Sequence, residues 1–427
     1  MQKKLPALLC LVCISVLLSA CTIQDLPLVG KYLGGKGPAL GPVSLTMWGM
    51  WEDPSVMQKL IEKYQIEHPN VSITYEDRSV VKPLVTYKER VFSRLGTEES
   101  ADIVMVHNSW VPYITNSLSP APASVMSADD FASNFYPAAN DTCVVGGKVY
   151  SIPYYYDGLV LIYNRDHFES VGQEEPPTAW EEFRKLALDL TKRSDDGALI
   201  RAGAAMGTAT NIDHFSDILG MMFAQAGAAI PEDLDSEKAM HALSFYTNFV
   251  KEDRVWDASL PEAVDAFANG KVSMIFAPSW RILDIKRAAP TLNIGVAPVP
   301  QAVPSEPATW GSFWTPVVSS NSQNASTAWD FINFLAQDEQ QLMLFDEASK
   351  LREFGTPYSR ISLAAELLLN PYLSPVLSTA GYSKSGIISA RSGNQRQETA
   401  MKEAVNSVLK GIQPLEALKT AKTAISQ

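Results

Sequence analysis

The side chains able to do covalent chemistry are few and poorly spaced for it. The 5 histidines stand at positions 68, 107, 167, 214 and 241 and form no HxH or HExxH metal pair. No Gly-x-Ser-x-Gly turn presents a nucleophile, and no glycine-rich loop stands ready for phosphate. The acid pairs Glu98-Glu99 and Glu174-Glu175 lie in polar stretches and read as solvated. A glycan-hydrolysing pair of separated carboxylates stays compatible with the sequence alone. No cofactor or metal is expected. The stronger pattern is non-covalent: indole rings beside carboxylates, amides and small polar residues.

Of the 9 tryptophans, only Trp180, Trp256 and Trp329 read as helix or helix-edge core residues. Trp48, Trp51, Trp110, Trp280, Trp310 and Trp314 fall at predicted strand ends or in loops, where open α/β sheets take ligands. A sugar ring has apolar C–H faces and a polar rim. Indole suits the faces, and carboxylates or amides suit the rim, as in a mostly apolar pocket with a few polar groups. Burying one aromatic ring is worth roughly 4–6 kcal/mol gross, against about 8 kcal/mol net for micromolar binding. The candidate ligand-binding set is Trp48, Trp51, Glu52, Asn108, Trp110, Tyr155, Asp157, Asn211, Trp280, Arg281, Gly311 and Trp314. Within it, Asp157, at the end of Tyr154-Tyr155-Tyr156, suits bidentate acceptance from vicinal hydroxyls. Asn211 closes a polar loop, Gly207 to Asn211. Arg281, with Arg352 outside the set, would suit an anionic ligand. Tyr358, Tyr382 and Arg391 rank lower.

These residues need a scaffold, and the periodicities supply one. Val43, Leu45 and Met47 alternate as a strand. Asp53 caps and Pro54 opens a helix carrying Val56, Leu60 and Tyr64. Val71, Ile73 and Tyr75 make the next strand, Leu84 to Leu95 a helical stripe, and Asp102 to Val106 a buried strand. That alternation marks an α/β sheet with parallel strands. Further on, Thr178 and Glu181 read as a capping box. Helices are predicted over 236–251 and 261–268, strands over 272–276 and 293–297, and a mostly helical tail over 395–425.

The N-terminus carries its own message. Lys3 and Lys4 precede an apolar run, Leu5 to Leu18, too short to cross a bilayer core of roughly 20 residues but fitting a secretory h-region. Leu18-Ser19-Ala20-Cys21 resembles a bacterial lipobox. The expectation is a precursor cleaved before Cys21, lipidated on that thiol and held outside the cytoplasm at the cell membrane. Gly- and Pro-rich residues 21–42 then read as a flexible tether. Residues 1–20 hold two lysines and no acid, so their loss takes the formal charge from −12 to −14, which argues against a nucleic-acid partner. Cys10 and Cys13 leave with the signal, so Cys143 is the one remaining thiol and reads as buried and inert.

Seven stretches, in order, resemble the family 1 extracellular solute-binding proteins of ABC importers, the maltose-binding-protein type. They are Leu45 to Trp51 with the His68-Pro69-Asn70-Val71 turn, Ala101 to Val106, Gly147 to Pro153, Leu161 to Arg165, Pro176 to Trp180, Ala266 to Met274 and Ala328 to Ile332. Ser273 and Ile152 depart conservatively from the commonest residues. The resemblance covers about Val43 to Leu335 and fades in the C-terminal 90 residues. It implies an α/β, two-lobed periplasmic-binding-protein type II-like fold, with discontinuous lobes joined by crossing strands. Lobe 1 is expected at 43–152 and 272–318, and lobe 2 at 153–271 and 319–427, with Pro153 to Gly158 as one crossover. The implied function is that of a monomeric, lipid-anchored receptor, not an enzyme, delivering a carbohydrate to an ABC permease. The same fold with a phosphorylated polyol, polyamine or peptide as solute stays open here, as does a secreted glycan-processing enzyme or a ligand-sensing partner of a membrane signalling protein.

Overall fold

The alternation of Val43, Leu45 and Met47 forms a strand, β1 (Val43–Gly49), in the computed structural model, which describes residues 41–426. Cys21, the signal and nearly all of the expected tether lie outside the described residues. Helix α1 (Pro54–Glu67) begins as its sequence predicts. The Asp53 carboxylate accepts from the Ser55 N–H at 2.8 Å, and Pro54 sits in the first turn, where a missing N–H costs nothing. Then come β2 (Val71–Asp77), α2 (Leu84–Arg94), β3 (Ile103–His107) and the short β4 (Leu118–Ser119). β1 pairs in parallel with β2 from Val43↔Val71 to Gly49↔Asp77, and with β3 at Met47↔Ile103.

The chain leaves this sheet through Pro153 to Gly158 and builds a second one. Its elements are β5 (Leu159–Asn164), α3 (Trp180–Leu190), β6 (Lys192–Arg193), β7 (Leu199–Ala204), α4 (Phe215–Gln225), α5 (Glu237–Lys251), β8 (Val272–Pro278), α6 (Arg281–Ala288) and β9 (Ile294–Ala297). The second sheet has the order β9-β5-β8-β7-β6. β10 (Trp314–Ser319) returns to the first sheet, whose order is β2-β1-β3-β10-β4. Helices α7 (Ala325–Leu335) and α8 (Asp338–Ser349) pack on β10 and α1 respectively, whereas α9 (Gln395–Leu409) and α10 (Pro414–Ser426) pack on α5 of the second lobe.

The α/β two-lobed architecture therefore stands, but the lobe boundaries move. Residues 272–318 were expected in lobe 1, yet β8 and β9 belong to the second sheet. β8 is buried at all seven residues, so it needs a neighbour on each side. It finds β5, antiparallel from Met274↔Tyr163 to Pro278↔Leu159, and β7, parallel at Val272↔Ala202. Residues 319–427 were expected in lobe 2, yet α7 and α8 cover the first sheet, and the chain returns to the second lobe only after them. The chain thus crosses between the sheets three times: before β5, between β9 and β10, and between α8 and α9.

Two local readings are also refined. The acid that closes the N-terminus of α3 is Glu182, not Glu181. Its Oε2 accepts from the Thr178 N–H at 3.0 Å, the Thr178 hydroxyl at 3.1 Å and the Ala179 N–H at 3.3 Å. The helix starts at Trp180, so Glu182 occupies the third position, from which a carboxylate reaches back. Cys143 is fully buried, and burial pushes its thiol up to about 12, which makes it a poor nucleophile.

Close packing of α3 on β7 depends on Gly203. A Cβ built there would stand 1.8 Å from the Ala187 carbonyl oxygen, so any side chain must push the helix off the sheet. Gly203→Ala is expected to lower stability by about 1–3 kcal/mol. In urea unfolding this appears as a lower midpoint with an unchanged slope.

Candidate functional site

The strand ends meet at a cleft between the sheets. β1 ends at Gly49 and delivers Trp51 and Glu52. β3 ends at His107, which lies opposite Trp314 at the start of β10. β8 ends at Pro278 opposite Leu159, so Ser279 and Trp280 face the Asp157–Gly158 crossing. A cavity of about 290 Å³ lies among them. Its walls include Trp51, Tyr155, Trp280, Phe313 and Trp314, with Glu52, Asp157, His107, His214, Ser279, Ser312 and Thr356 as polar liners. The indoles are set by edge contacts. Trp314 meets Trp51 at 5.9 Å and Trp110 at 5.3 Å between centroids, both near-perpendicular. Trp51 is 37% exposed, with Lys82 Nζ 4.4 Å from its ring centre and its backbone at φ +70°. That conformation is rare for a residue with a bulky side chain.

Asp157 is the polar centre of the crossing. Oδ1 accepts from the Gly158 N–H at 2.7 Å and the Ser279 N–H at 3.0 Å. Oδ2 accepts from the Ser279 hydroxyl at 3.0 Å and the Trp280 N–H at 3.2 Å. Its backbone carbonyl accepts from the Ser312 N–H at 3.0 Å, and Gly158 bridges Gly311. Burial raises the carboxyl to about 6, against the pull of those donors. The chain itself occupies the acceptor positions that the sequence reading offered to a diol.

Two buried histidines line the cleft as neutral groups. Burial lowers His107 to about 3, helped by Lys88. Its Nδ1 accepts from the Ser109 N–H at 3.3 Å, so Nε2 carries the proton and donates to the Ser312 hydroxyl at 3.0 Å. His214 is held far below its usual value by burial and then by Arg281. Its Nε2 accepts from Arg281 Nε at 3.1 Å, so Nδ1–H donates to Asp217 at 2.9 Å. Of the charged liners, three are acids (Glu52, Asp157, Asp284) and three are arginines (Arg287, Arg352, Arg391). Arg287 pairs with Asp284 at 3.0 Å, Arg391 pairs with Asp213 at 2.8 Å, and Thr356 links Arg352 to Glu52.

Of the twelve candidates, Trp51, Glu52, Tyr155, Asp157, Trp280 and Trp314 line the cavity. The other six candidates do not line it. Trp48 is still within β1 and buried, with the Arg78 guanidinium over its ring at 4.9 Å. A short 3-10 turn over Asn108–Trp110 rotates both of those residues into the core. Asn108 donates to Ser385 at 2.8 Å, and Trp110 Nε1 donates to the Ser392 carbonyl at 2.8 Å. Asn211 braces its own lobe, donating to the carbonyls of Asp257 and Leu260 at 3.0 Å each. Arg281 lies behind the cavity wall, bonded to His214, Asp213 and Asp284. Gly311 is a packing position: a Cβ would meet the Tyr156 hydroxyl at 2.7 Å. Trp310, another strand-end tryptophan, is also core, donating to Asp217 at 3.0 Å.

The liners outside the candidate set come mainly from irregular connections. Arg352, Phe354, Thr356 and Pro357 lie between α8 and α9, as do Ala390 and Arg391. That stretch carries little periodicity. Phe313 and Ser312 needed only the neighbouring Trp314 to be found.

With the cleft described, its kinship can be stated. Residues 50–342 match the bacterial extracellular solute-binding protein family, and the chain belongs to it. Proteins of this family are receptors, not enzymes, and so is this chain. Among its relatives, a diacetylchitobiose binding protein of Streptomyces coelicolor is 20% identical over 436 residues, covering 98% of this chain and 97% of that protein. A maltooligosaccharide ABC transporter solute-binding lipoprotein of Streptococcus pneumoniae is 25% identical over 52% of each chain. Among solved structures, the sugar-binding protein MalE of Xanthomonas citri superposes with a TM-score of 0.73 at 18% identity, covering 90% of this chain and 96% of that one. A cyclo/maltodextrin-binding protein complexed with maltotetraose gives 0.70 at 19%, covering 91% and 97%. At such identities the superpositions speak for the two-lobed fold alone.

The buried acids set a pH dependence. Asp157 is raised from 3.8 to about 6 and Asp217 to about 7, both by burial first. A carboxyl with a raised folded value keeps its proton where the unfolded chain has lost it, so its contribution falls as pH rises through that interval. Urea midpoints are expected to decline between about pH 4 and 7. Asp217→Asn is expected to flatten that slope, with the parts from Asp157 and from Glu398, raised by burial to about 7, remaining.

Proposed function

We propose that this protein is a lipid-anchored receptor that binds a small, uncharged carbohydrate outside the cytoplasm and delivers it to an ABC permease. The observation that carries the sugar reading is the composition of the cleft. Indole and phenyl rings form its walls, Asp157, Asp284, Arg287 and Arg391 are each engaged by the chain, and Glu52 and Arg352 offset one another in charge across Thr356. A polyhydroxylated ring offers C–H faces to such rings and hydroxyls to such edges. A phosphorylated polyol or a polyamine would need an excess of one charge, and three acids against three arginines offer none. The cavity volume, near the lower end of about 300–1,000 Å³ for ligand pockets, favours one or two sugar rings. The sugar-binding names among the relatives support the same class. The receptor works by a ligand-driven shift between open and closed lobes.

Titration with a panel of mono- and oligosaccharides, including maltooligosaccharides and diacetylchitobiose, is expected to give saturable binding with a change in tryptophan fluorescence. Trp51→Ala and Trp280→Ala are each expected to weaken the best ligand tenfold or more, about 1.4 kcal/mol. A flat response across the panel would discard the carbohydrate reading.

Anchoring rests on the lipobox-like Leu18 to Cys21. Cys21→Ser is expected to move the protein from the membrane fraction to the soluble fraction on cell fractionation, with sugar binding retained. Equal membrane recovery of the two forms would remove the lipid anchor.

A further inference from the structure

One buried carboxylate of the cleft has acceptor capacity left over. Asp157 has both oxygens filled by the chain, and Asp284 divides its two between Arg287 and Arg281. Glu52 differs. It is only 4% exposed, lines the cavity, and has one side-chain partner, the Thr356 hydroxyl, which donates to Oε1 at 3.1 Å. Its Oε2 has no partner among the described residues. The same Thr356 hydroxyl accepts from Arg352 Nη2 at 2.8 Å. Arg352 Nε is committed to the Phe354 carbonyl at 3.1 Å, and Nη1 is left with no partner among the described residues. Glu52 and Arg352 make no direct ion pair: a single hydroxyl stands between them.

The pair is therefore an acceptor and a donor, spaced by one hydroxyl and both lining one cavity. Both free atoms belong to residues that line the cavity, where an O–H donor on a solute can fill the carboxylate oxygen. Two adjacent hydroxyls on a ring match the arrangement. One donates to Glu52 Oε2, and its neighbour accepts from Arg352 Nη1. Both contacts are charge-assisted, the strongest ordinary class of hydrogen bond. We propose that Glu52 and Arg352 clamp a vicinal diol of the solute, with Thr356 fixing their separation. The clamp rests on the carbohydrate reading and narrows it to sugars with two adjacent free hydroxyls. It also ties the ligand to two distinct parts of the fold. Glu52 follows β1 in the first lobe, and Arg352 lies in the connection between α8 and α9, one of the three crossings.

The test uses the panel sugar bound most tightly and its monodeoxy analogues, one for each hydroxyl, measured by calorimetry on the wild-type protein, Glu52→Gln and Arg352→Met. In the wild type, two adjacent deoxy positions are expected to weaken binding at least tenfold each, and the others less. Each variant is expected to bind the parent sugar about tenfold or more weakly and to lose the penalty at its own hydroxyl, with urea midpoints confirming that both variants fold. Should Glu52→Gln fold poorly, the wild-type analogue series and Arg352→Met still decide. Penalties that fall on no adjacent pair, or that persist unchanged in the variants, overturn the clamp alone. Absence of binding by every panel sugar overturns the carbohydrate reading and the clamp with it.

Discussion

A single buried carboxylate, that of Asp157, sets the geometry of the cleft. It gathers donors from its own crossing segment, from the end of β8 and from the start of α6, while its carbonyl holds the second crossing through Ser312. Trp280 is one of the residues whose N–H it binds, and Phe313 and Trp314 directly follow the serine it holds. The aromatic walls thus take their positions from a polar group that offers nothing further to a ligand. Such an arrangement is unforgiving. A buried carboxylate with four donors is well satisfied, but each of those donors would be orphaned without it.

How much of this was legible in the sequence follows from how local each signal is. Strand ends were readable because alternation stops there, so Trp51, Trp280 and Trp314, which line the cavity, could be picked out. Which way a residue turns after the strand was not readable. Trp48 misses the cleft by being three residues early, and Trp110 is carried into the core by a 3-10 turn capped by His107, a residue type that does not stand out as a cap in the sequence. The lobe boundaries failed for a different reason. Seven buried residues in β8 say that it is a central strand, but the choice of sheet depends on pairing with Tyr163 and Ala202, far away in the sequence. The connection between α8 and α9, which supplies Arg352, Thr356 and Arg391, has no periodicity to read, and its contribution emerges only from tertiary contact.

Charge in the cleft is abundant and balanced. Two histidines that stand ready to titrate in water are kept neutral by burial, and each has both ring nitrogens engaged. Arg287 and Arg391 pair with acids of their own chain, and Arg352 faces Glu52 across the Thr356 hydroxyl. A site built this way attracts no ion from a distance, because balanced charges leave little long-range field. It discriminates at contact, through ring faces and the few hydrogen-bonding atoms not already engaged. The acidic exterior, with a formal charge of −12, is a separate matter of solubility.

The three passages of the chain between the sheets have a mechanical meaning. Two bodies joined by one strand can bend, twist and shear, as on a ball joint. Joined at three separate places, they lose twist and shear and keep one easy motion, a swing about the line along which the connections lie. Opening then has a single coordinate, and a molecule lodged between the lobes fixes one angle. Whatever docks on the outside has only that angle to read, and the same angle would serve for any cargo that lets the jaws meet.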